Sequence, residues 1–481
     1  MNFSIPHDWI ITPLGELASA IQYGYTEKAQ TEKIGPSFLR ITDIQNDTVE
    51  WNQVPFCIID DKEKEKYLLR EGDLVFARTG ATVGKSYLIT GSIPESVFAS
   101  YLIRVRLKPD IEPKYISYFF RSSDYWRQIS KSQSGIGQPN VNGKKLAQIK
   151  IPLAPLDQQT RIVAEIEKQF SRLDKAVASL KHAKSNLKRY KAAVLKAAVQ
   201  GKLTEQWRKK YPDVEPASKL LERILAERRE RWKGKGKYKE PAVPDTSILP
   251  PLLEGWMWAR LEQIGLIFGG LTKNPKRTKL PKKLPYLRVA NVYANELRLD
   301  QIERIGVYDG ELDKLLLQRG DLLIVEGNGS KDQIGRLAIW DGSIDPCVHQ
   351  NHIIKIRLVN VDIGKWILFW LLSLPGRHFV ERVASSTSGL YTLSVNKVCS
   401  LPILLPPWAE QNEIVEEVER RLSMVEDLEK EVIANLQRAE RLRQSILARA
   451  FCGKLVFTSL ELDLNYTQLD NRAASGPQKR R

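Results

Sequence analysis

An internal repeat constrains this chain more than any single motif does, because whatever one copy builds the other must build as well. The second half repeats the first at an offset of roughly 250 residues. PHDWIITPL, from Pro6, lies over LEGWMWARL, from Leu253, and sets Trp9 against Trp256. FLRITDI, from Phe38, matches YLRVANV, from Tyr286, and pairs Arg40 with Arg288. KYLLREGDLVFARTG matches KLLLQRGDLLIVEGN, and pairs Gly72-Asp73-Leu74 with Gly320-Asp321-Leu322. SVFASYLIRVRL and CVHQNHIIKIRL alternate as half-buried strands do. From Ile149 to Leu203 the match runs without a gap, and both copies end in Gly-Lys-Leu, at Gly201 and Gly453.

Each copy has the same order. About 150 residues of short strands, Gly and Asn/Asp turns and a few short helices come first, followed by one long helix. Pro152 and Pro155, like Pro406 and Pro407, stop a strand, and Asp157 or Ala409 opens a helix of about 44 residues. At 1.5 Å per residue that is roughly 65 Å, more than one globular domain requires. Apolar residues recur at three-and-four spacing: Phe170, Leu173, Val177, Leu180 and Leu187 in the first helix, and Val418, Leu422, Val425, Val432, Ala439 and Ile446 in the second. So narrow a stripe needs a partner helix. From Asp157 to Ala198 there are ten basic and four acidic residues, net +6; from Ala409 to Ala450, seven basic and ten acidic, net −3. Antiparallel pairing would join the basic end of one to the acidic start of the other; a coil between two copies of the chain is the alternative.

These readings give an α+β chain of two globular domains of mixed strands and short helices in tandem, separated by two long helices that form an antiparallel coiled coil. The boundaries expected are 1–156, a spacer helix over 157–203, a basic linker over 204–250, 251–408, a second spacer helix over 409–455, and a polar, disordered tail over 456–481. The linker reading places a basic helix from Ala217 to Trp232 and a flexible or extended GKGKYKEPAVP after it.

Charge narrows the choice of partner. The chain carries +17, and residues 181 to 240 alone hold nineteen Lys/Arg against seven Asp/Glu. A patch that dense attracts a polyanion, of which duplex nucleic acid is the commonest. The hydrophobic fraction, 42%, is that of a globular protein, no run of about 18 apolar residues exists, and the amino terminus lacks a basic region followed by an apolar stretch, so neither a membrane span nor secretion is expected. Cys57, Cys347, Cys399 and Cys452 are scattered, which fits a reducing cytoplasm and leaves no cysteine zinc site.

No catalytic constellation is present in the pattern. RTGATVGKSYL, from Arg78, suggests a Walker A loop, but Gly80 and Gly84 enclose three residues where that loop needs four, and the position one earlier is Thr79. Its twin, GNGSKDQIGRLAIW from Gly327, keeps the strands, changes the loop length and replaces Gly84-Lys85 by Gly335-Arg336. That is how a variable hairpin tip behaves. His349 and His352 in HQNH stand three apart on a strand, which sends them to opposite faces and away from a shared metal. LPPW at Leu405 is similar to the D/N-P-P-Y/F loop of amino-methyltransferases, yet Leu405 cannot accept a hydrogen bond from a target amine.

The tandem units, the Gly-Asp-Leu hairpins, the Arg78-Thr79-Gly80 turn, SGIGQPNVNGKKLAQIKIPLAPLDQQTRIVAEIE and AAVQGKL, with PPWAEQNEIVEEVE and ARAFCGKL as second copies, together resemble the specificity (S) subunit of type I restriction-modification systems. The resemblance covers nearly the whole chain. It implies two target recognition domains, each reading one half of a split, asymmetric site on double-stranded DNA, and a helical spacer holding them about one helical turn apart. It implies two methylation (M) subunits docked on the helices, which would bring S-adenosylmethionine and an adenine N6-methyltransferase site, and restriction (R) subunits adding ATP- and Mg-dependent translocation and cleavage. This chain would bind no cofactor and catalyse nothing alone. A coiled-coil scaffold with two protein-binding domains is the competing reading.

On the DNA reading, affinity comes from Lys/Arg neutralising phosphates and sequence from side chains on base edges. Arg78, Thr79 and Lys85 offer a donor fork, a hydroxyl and a point charge, with Gly80 and Gly84 expected to let the backbone approach closely. The twin offers Glu326, Asn328, Ser330, Lys331 and Arg336. Further candidates are Tyr23, Tyr25, Arg40, Gln138 and Asn140 in the first copy, and Lys273, Asn274, Arg277, Arg288, Asn291 and Tyr391 in the second. Arg40 and Arg288, matched in both, are expected to hold phosphate or structure.

Overall fold

The computed structural model describes residues 5–45, 47–132, 140–232, 236–328, 330, 333–387 and 390–456. Gln138, Lys331 and the tail after 456 lie outside the described residues, and of Asn328 only the backbone is described. The chain divides into two compact units, Met1–Lys181 with Val432–Arg481, and His182–Glu431.

Each unit is built on the same four-stranded antiparallel sheet. In the first its order is Ala18–Tyr23, Leu102–Leu107, Leu74–Ala77, Ser86–Leu88. In the second it is Gly265–Phe268, Ile353–Leu358, Leu322–Val325, Leu337–Ile339. A smaller parallel pair stands beside each sheet, Ser37–Leu39 with Ser96–Phe98 and Lys283–Leu287 with Val348–His349; the second unit adds Glu303–Gly306 to it.

The repeated Gly-Asp-Leu is explained by a buried fork. Gly72 and Gly320 turn the chain at φ +88° and +92°, a region an L side chain rarely adopts. Asp73 then accepts the Arg70 backbone N–H and two guanidinium nitrogens of Arg106, Nε and Nη2, at 2.8 and 2.7 Å. Asp321 does the same with the Gln318 N–H and Arg357. Beside each fork a buried cation caps two carbonyls: Arg104 donates to Leu68 and Lys66, Lys355 to Leu316 and Lys314. Burial pushes the Lys355 ammonium down to about 8. The aromatic position alongside changes with the cation. Phe98 lies under Arg104, whereas His349 stands in the second unit, fully buried and held down to about 3 by desolvation and then by Lys355.

A two-stranded ribbon closes each globular part, Ile10–Pro13 with Lys150–Leu153 and Met257–Arg260 with Pro402–Leu405. The second strand of each ribbon runs straight into a long helix, Leu156–Val199 or Trp408–Phe451. The matched tryptophans fasten this junction: the indole N–H of Trp9 donates to Gln158 at 2.9 Å and that of Trp256 to the buried Glu410 at 2.8 Å. Gly-Lys-Leu ends both helices. Gly201 and Gly453 take left-handed φ of +65° and +73°, and the next N–H reaches back to Ala197 or Arg449. This is the Schellman cap.

The helices pair antiparallel, as their charges suggested. Within the first unit Ile162, Ile166 and Phe170 share a core with Ile446, Leu447 and Phe451, and Arg443 pairs with Asp174. Within the second, Val194 and Ala198 share a core with Ile414 and Val418, and Lys191 meets Glu429 at 2.7 Å.

The stretch read as a basic linker is integral to the second unit. Ala217–Glu230 is a helix whose Ala217, Leu220, Leu221 and Ile224 enter the core. Several of its bases are paired locally, Lys219 with Glu222, Arg223 with Glu215, Arg229 with Glu240 and Arg231 with Glu227. The helix expected from Ala217 is present, but its net charge conceals an apolar face of Ala217, Leu220, Leu221 and Ile224 at three-and-four spacing, with acids interleaved among the bases on the other faces.

Candidate nucleic-acid interface

Beyond the edge of each sheet the hairpin tip meets a segment more than fifty residues downstream. In the first unit the Arg78 N–H donates to the Tyr101 carbonyl at 3.1 Å, the Val141 N–H donates to the Arg78 carbonyl at 3.0 Å, and Thr79 bridges to Asn140. Arg78, Thr79 and Asn140, distant in sequence, thus stand together. The Arg78 guanidinium lies 4.9 Å from the centre of the Tyr23 ring, and the Tyr23 hydroxyl is fixed in turn by the Gly143 N–H at 2.8 Å. Among the described residues no carboxylate pairs with Arg78; its one side-chain bond is a long 3.5 Å contact to the Ser100 carbonyl. Asn140 Oδ1 is buried without a partner among the described residues. Tyr101, whose carbonyl joins this turn and whose side chain is 63% exposed, lies in the sequence inside a strand-like alternation that conceals it.

The second unit repeats the backbone and changes the side chains. The Glu326 N–H donates to the His352 carbonyl at 2.9 Å and the Leu393 N–H to the Glu326 carbonyl at 2.7 Å. Gly327 and Asn328 pair with Thr392 and Tyr391 as part of a three-stranded sheet completed by Ser385–Thr387. Glu326 therefore takes the place of Arg78, and His352 that of Tyr101. Burial raises the Glu326 carboxyl above its usual range, and the His352 ring stands 3.7 Å from it. The two histidines of HQNH do part, but a turn at Asn351 and His352, not the alternation of one strand, separates them: His349 ends a strand and is buried, while the His352 side chain is over half exposed.

RTGATVGKS is a hairpin. The strand Ser86–Leu88 follows it where a phosphate loop leads into a helix. Gly84 does not give a ligand access, as the sequence had suggested. It is buried, its carbonyl takes the Tyr125 hydroxyl at 2.6 Å, and a Cβ there would sit 2.8 Å from Ile129. Gly335 is packed in the same way against Val380. Of the two glycines in this hairpin, Gly80, at φ +80° with nothing near its Cβ position, faces open space.

Residues 6–189 and 253–438 each match the model of the type I restriction modification DNA specificity domain. The chain belongs to that family. This type I specificity-domain protein is 28% identical to the EcoKI specificity subunit of Escherichia coli strain K12, over 94% of this chain and 90% of that one. It is 26% identical to the StySPI specificity subunit of Salmonella potsdam, over 94% and 90%. A chain from a solved type I R-M system, described for its complex assembly and conformational transition, superposes with a TM-score of 0.63 at 19% identity, covering 94% of this chain and 99% of that one. The protein-binding scaffold has no comparable support.

Several candidates of this specificity-domain protein are structural instead. Asn291 is buried, its Oδ1 accepting the Arg288 N–H and its Nδ2 donating to Arg298 and Gln301 carbonyls. Arg277 is forked onto Glu311 at 2.5 and 2.9 Å, and Asn274 caps the short helix that carries it. Tyr25 packs on Tyr67 against a small core. Arg40 grips Asp43 three residues on, and Arg288 grips Glu303, so the matched arginines hold turns. Lys273 shares Glu303 with Arg288 but stays exposed. Tyr391 is half-buried on the core of its unit, and Ser330 is exposed. Lys85 is exposed, while its counterpart Arg336 lies 4.6 Å over Tyr293 and donates to the Val289 carbonyl. Among the described residues no His/Cys/Asp/Glu group has metal-site geometry and no helix is long and apolar enough to cross a membrane.

Proposed function

We propose that this chain is the address-reading subunit of a type I restriction-modification complex, each unit reading one half of a bipartite, asymmetric site on duplex DNA. One observation carries the reading: a duplicated scaffold, held by identical buried devices, presents at matched backbone positions two different sets of polar side chains. A catalyst duplicated in this way would keep its tips alike; a reader of two different words would vary them. The paired helices act as the ruler between the half-sites, and two methylation subunits dock along them. Met424 and Leu428, one turn apart and exposed, offer apolar surface for such a partner. S-adenosylmethionine, ATP and Mg act on the methylation and restriction subunits, and this chain supplies no reacting group.

The test is single-molecule sequencing of N6-methyladenine in cells carrying this chain with its methylation subunit, against cells lacking the chain. The expected result is a two-part motif with a fixed gap that disappears with the chain. Methylation by an active partner with no such motif would overturn the reading.

A further inference from the structure

The position shared by Arg78 and Glu326 changes sign between units while its backbone does not. Its N–H meets the carbonyl of Tyr101 in one and His352 in the other, and its carbonyl meets the N–H of Val141 in one and Leu393 in the other. A phosphate contact cannot account for both occupants, because a carboxylate is repelled where a guanidinium is attracted. A structural role cannot either. The arginines that hold turns, Arg40, Arg277 and Arg288, all grip carboxylates, whereas Arg78 has none among the described residues. What remains common to a donor fork and an acceptor pair is the reading of opposite hydrogen-bond patterns.

We infer that this single position selects a base in each half-site, Arg78 taking the acceptor edge of a guanine and Glu326 the exocyclic amine of a cytosine. The inference rests on the proposed DNA-reading function and adds to it which side chain decides and for what. Arginine meets guanine O6 and N7 with two parallel donors, and stacking on Tyr23 holds the guanidinium ready. Glu326 can only accept. Cytosine N4 satisfies it, whereas adenine sets the acceptor N7 beside its amine and would repel the carboxylate. The residue whose carbonyl receives the reader's N–H changes with it, from Tyr101 to His352.

The experiment determines methylated motifs for wild type, Arg78→Gln, Arg78→Lys and Glu326→Gln in cells with the methylation subunit, with thermal melting of each purified complex as a check on folding. The wild-type motif should hold a G·C pair at one position of each half. Arg78→Gln should alter one position of one half only, and Glu326→Gln should move one position of the other half from cytosine toward adenine, which glutamine reads. Discrimination at the altered position should fall roughly ten- to a hundredfold. Arg78→Lys keeps the charge and a donor for guanine O6 or N7 but loses the rigid fork, so it should weaken the guanine preference less than Arg78→Gln does. If Arg78→Gln lowers methylation without altering the motif, Arg78 is a phosphate contact and the inference fails. An unaltered motif in all variants, or a uniform loss at every site by a complex that melts normally, also overturns it. A wild type with no bipartite motif defeats the proposed function itself, so the two failures are distinguishable.

Discussion

The two units share the devices that fasten their folds, apart from one buried exchange of Arg104 and Phe98 for Lys355 and His349, and differ in the polar side chains of their hairpin tips. Asp73 and Asp321 hold the same fork, Trp9 and Trp256 fasten the same junction, and Gly84 and Gly335 make the same turn. Arg78 faces Glu326, and Tyr101 faces His352. Stability and selection therefore reside in different side chains, so one can change without the other.

The comparison breaks if the shared devices prove dispensable. Asp73→Ala and Asp321→Ala each strand a paired arginine, and each should cost about 3 kcal/mol in denaturant unfolding, since breaking one partner of a buried pair leaves a charge uncompensated. Equal losses are expected; a loss in one unit alone would mean that the fork is not a common device. The junction should be less even. Trp256→Phe removes a bond to a buried carboxylate and should cost about 2 kcal/mol, whereas Trp9→Phe removes one to a neutral amide and should cost about 1 kcal/mol. Gly84→Ala should destabilise by about 1–2 kcal/mol through φ and crowding against Ile129, while Gly80→Ala, with φ strain alone, stays nearer 1 kcal/mol. The smallest effect sharpens the contrast at the tips. Lys85→Ala should reduce the slope of log affinity against log salt by about 0.9 if it neutralises one phosphate, and Arg336→Ala should change it less, its guanidinium being tied to Tyr293 and Val289.

The scaffold was legible because duplication displays it twice. The strands, the long helices, their antiparallel charge match and the caps at Gly201 and Gly453 all follow from residues compared with their own copies. The site was only partly legible, since residue type does not reveal a partner. Arg277, Asn291 and Tyr25 look like DNA contacts until Glu311, a ring of backbone carbonyls and Tyr67 are seen to occupy them. Arg78 looked no different from Arg40, yet the absence of a carboxylate three residues on distinguishes them in hindsight. Tyr101 and His352 were concealed by the alternation of their strands, because a turn at Ser100 and Asn351 swings them out of it.

The ribbons Ile10–Pro13 with Lys150–Leu153 and Met257–Arg260 with Pro402–Leu405 put the first and last strands of each globular part side by side. A module whose two ends meet in this way is a cassette: genetic exchange with crossovers at the ribbons replaces the vocabulary of one half-site while leaving the helices and the other half intact. New specificities can then arise by recombination in a single event, faster than by accumulating point mutations in the tips.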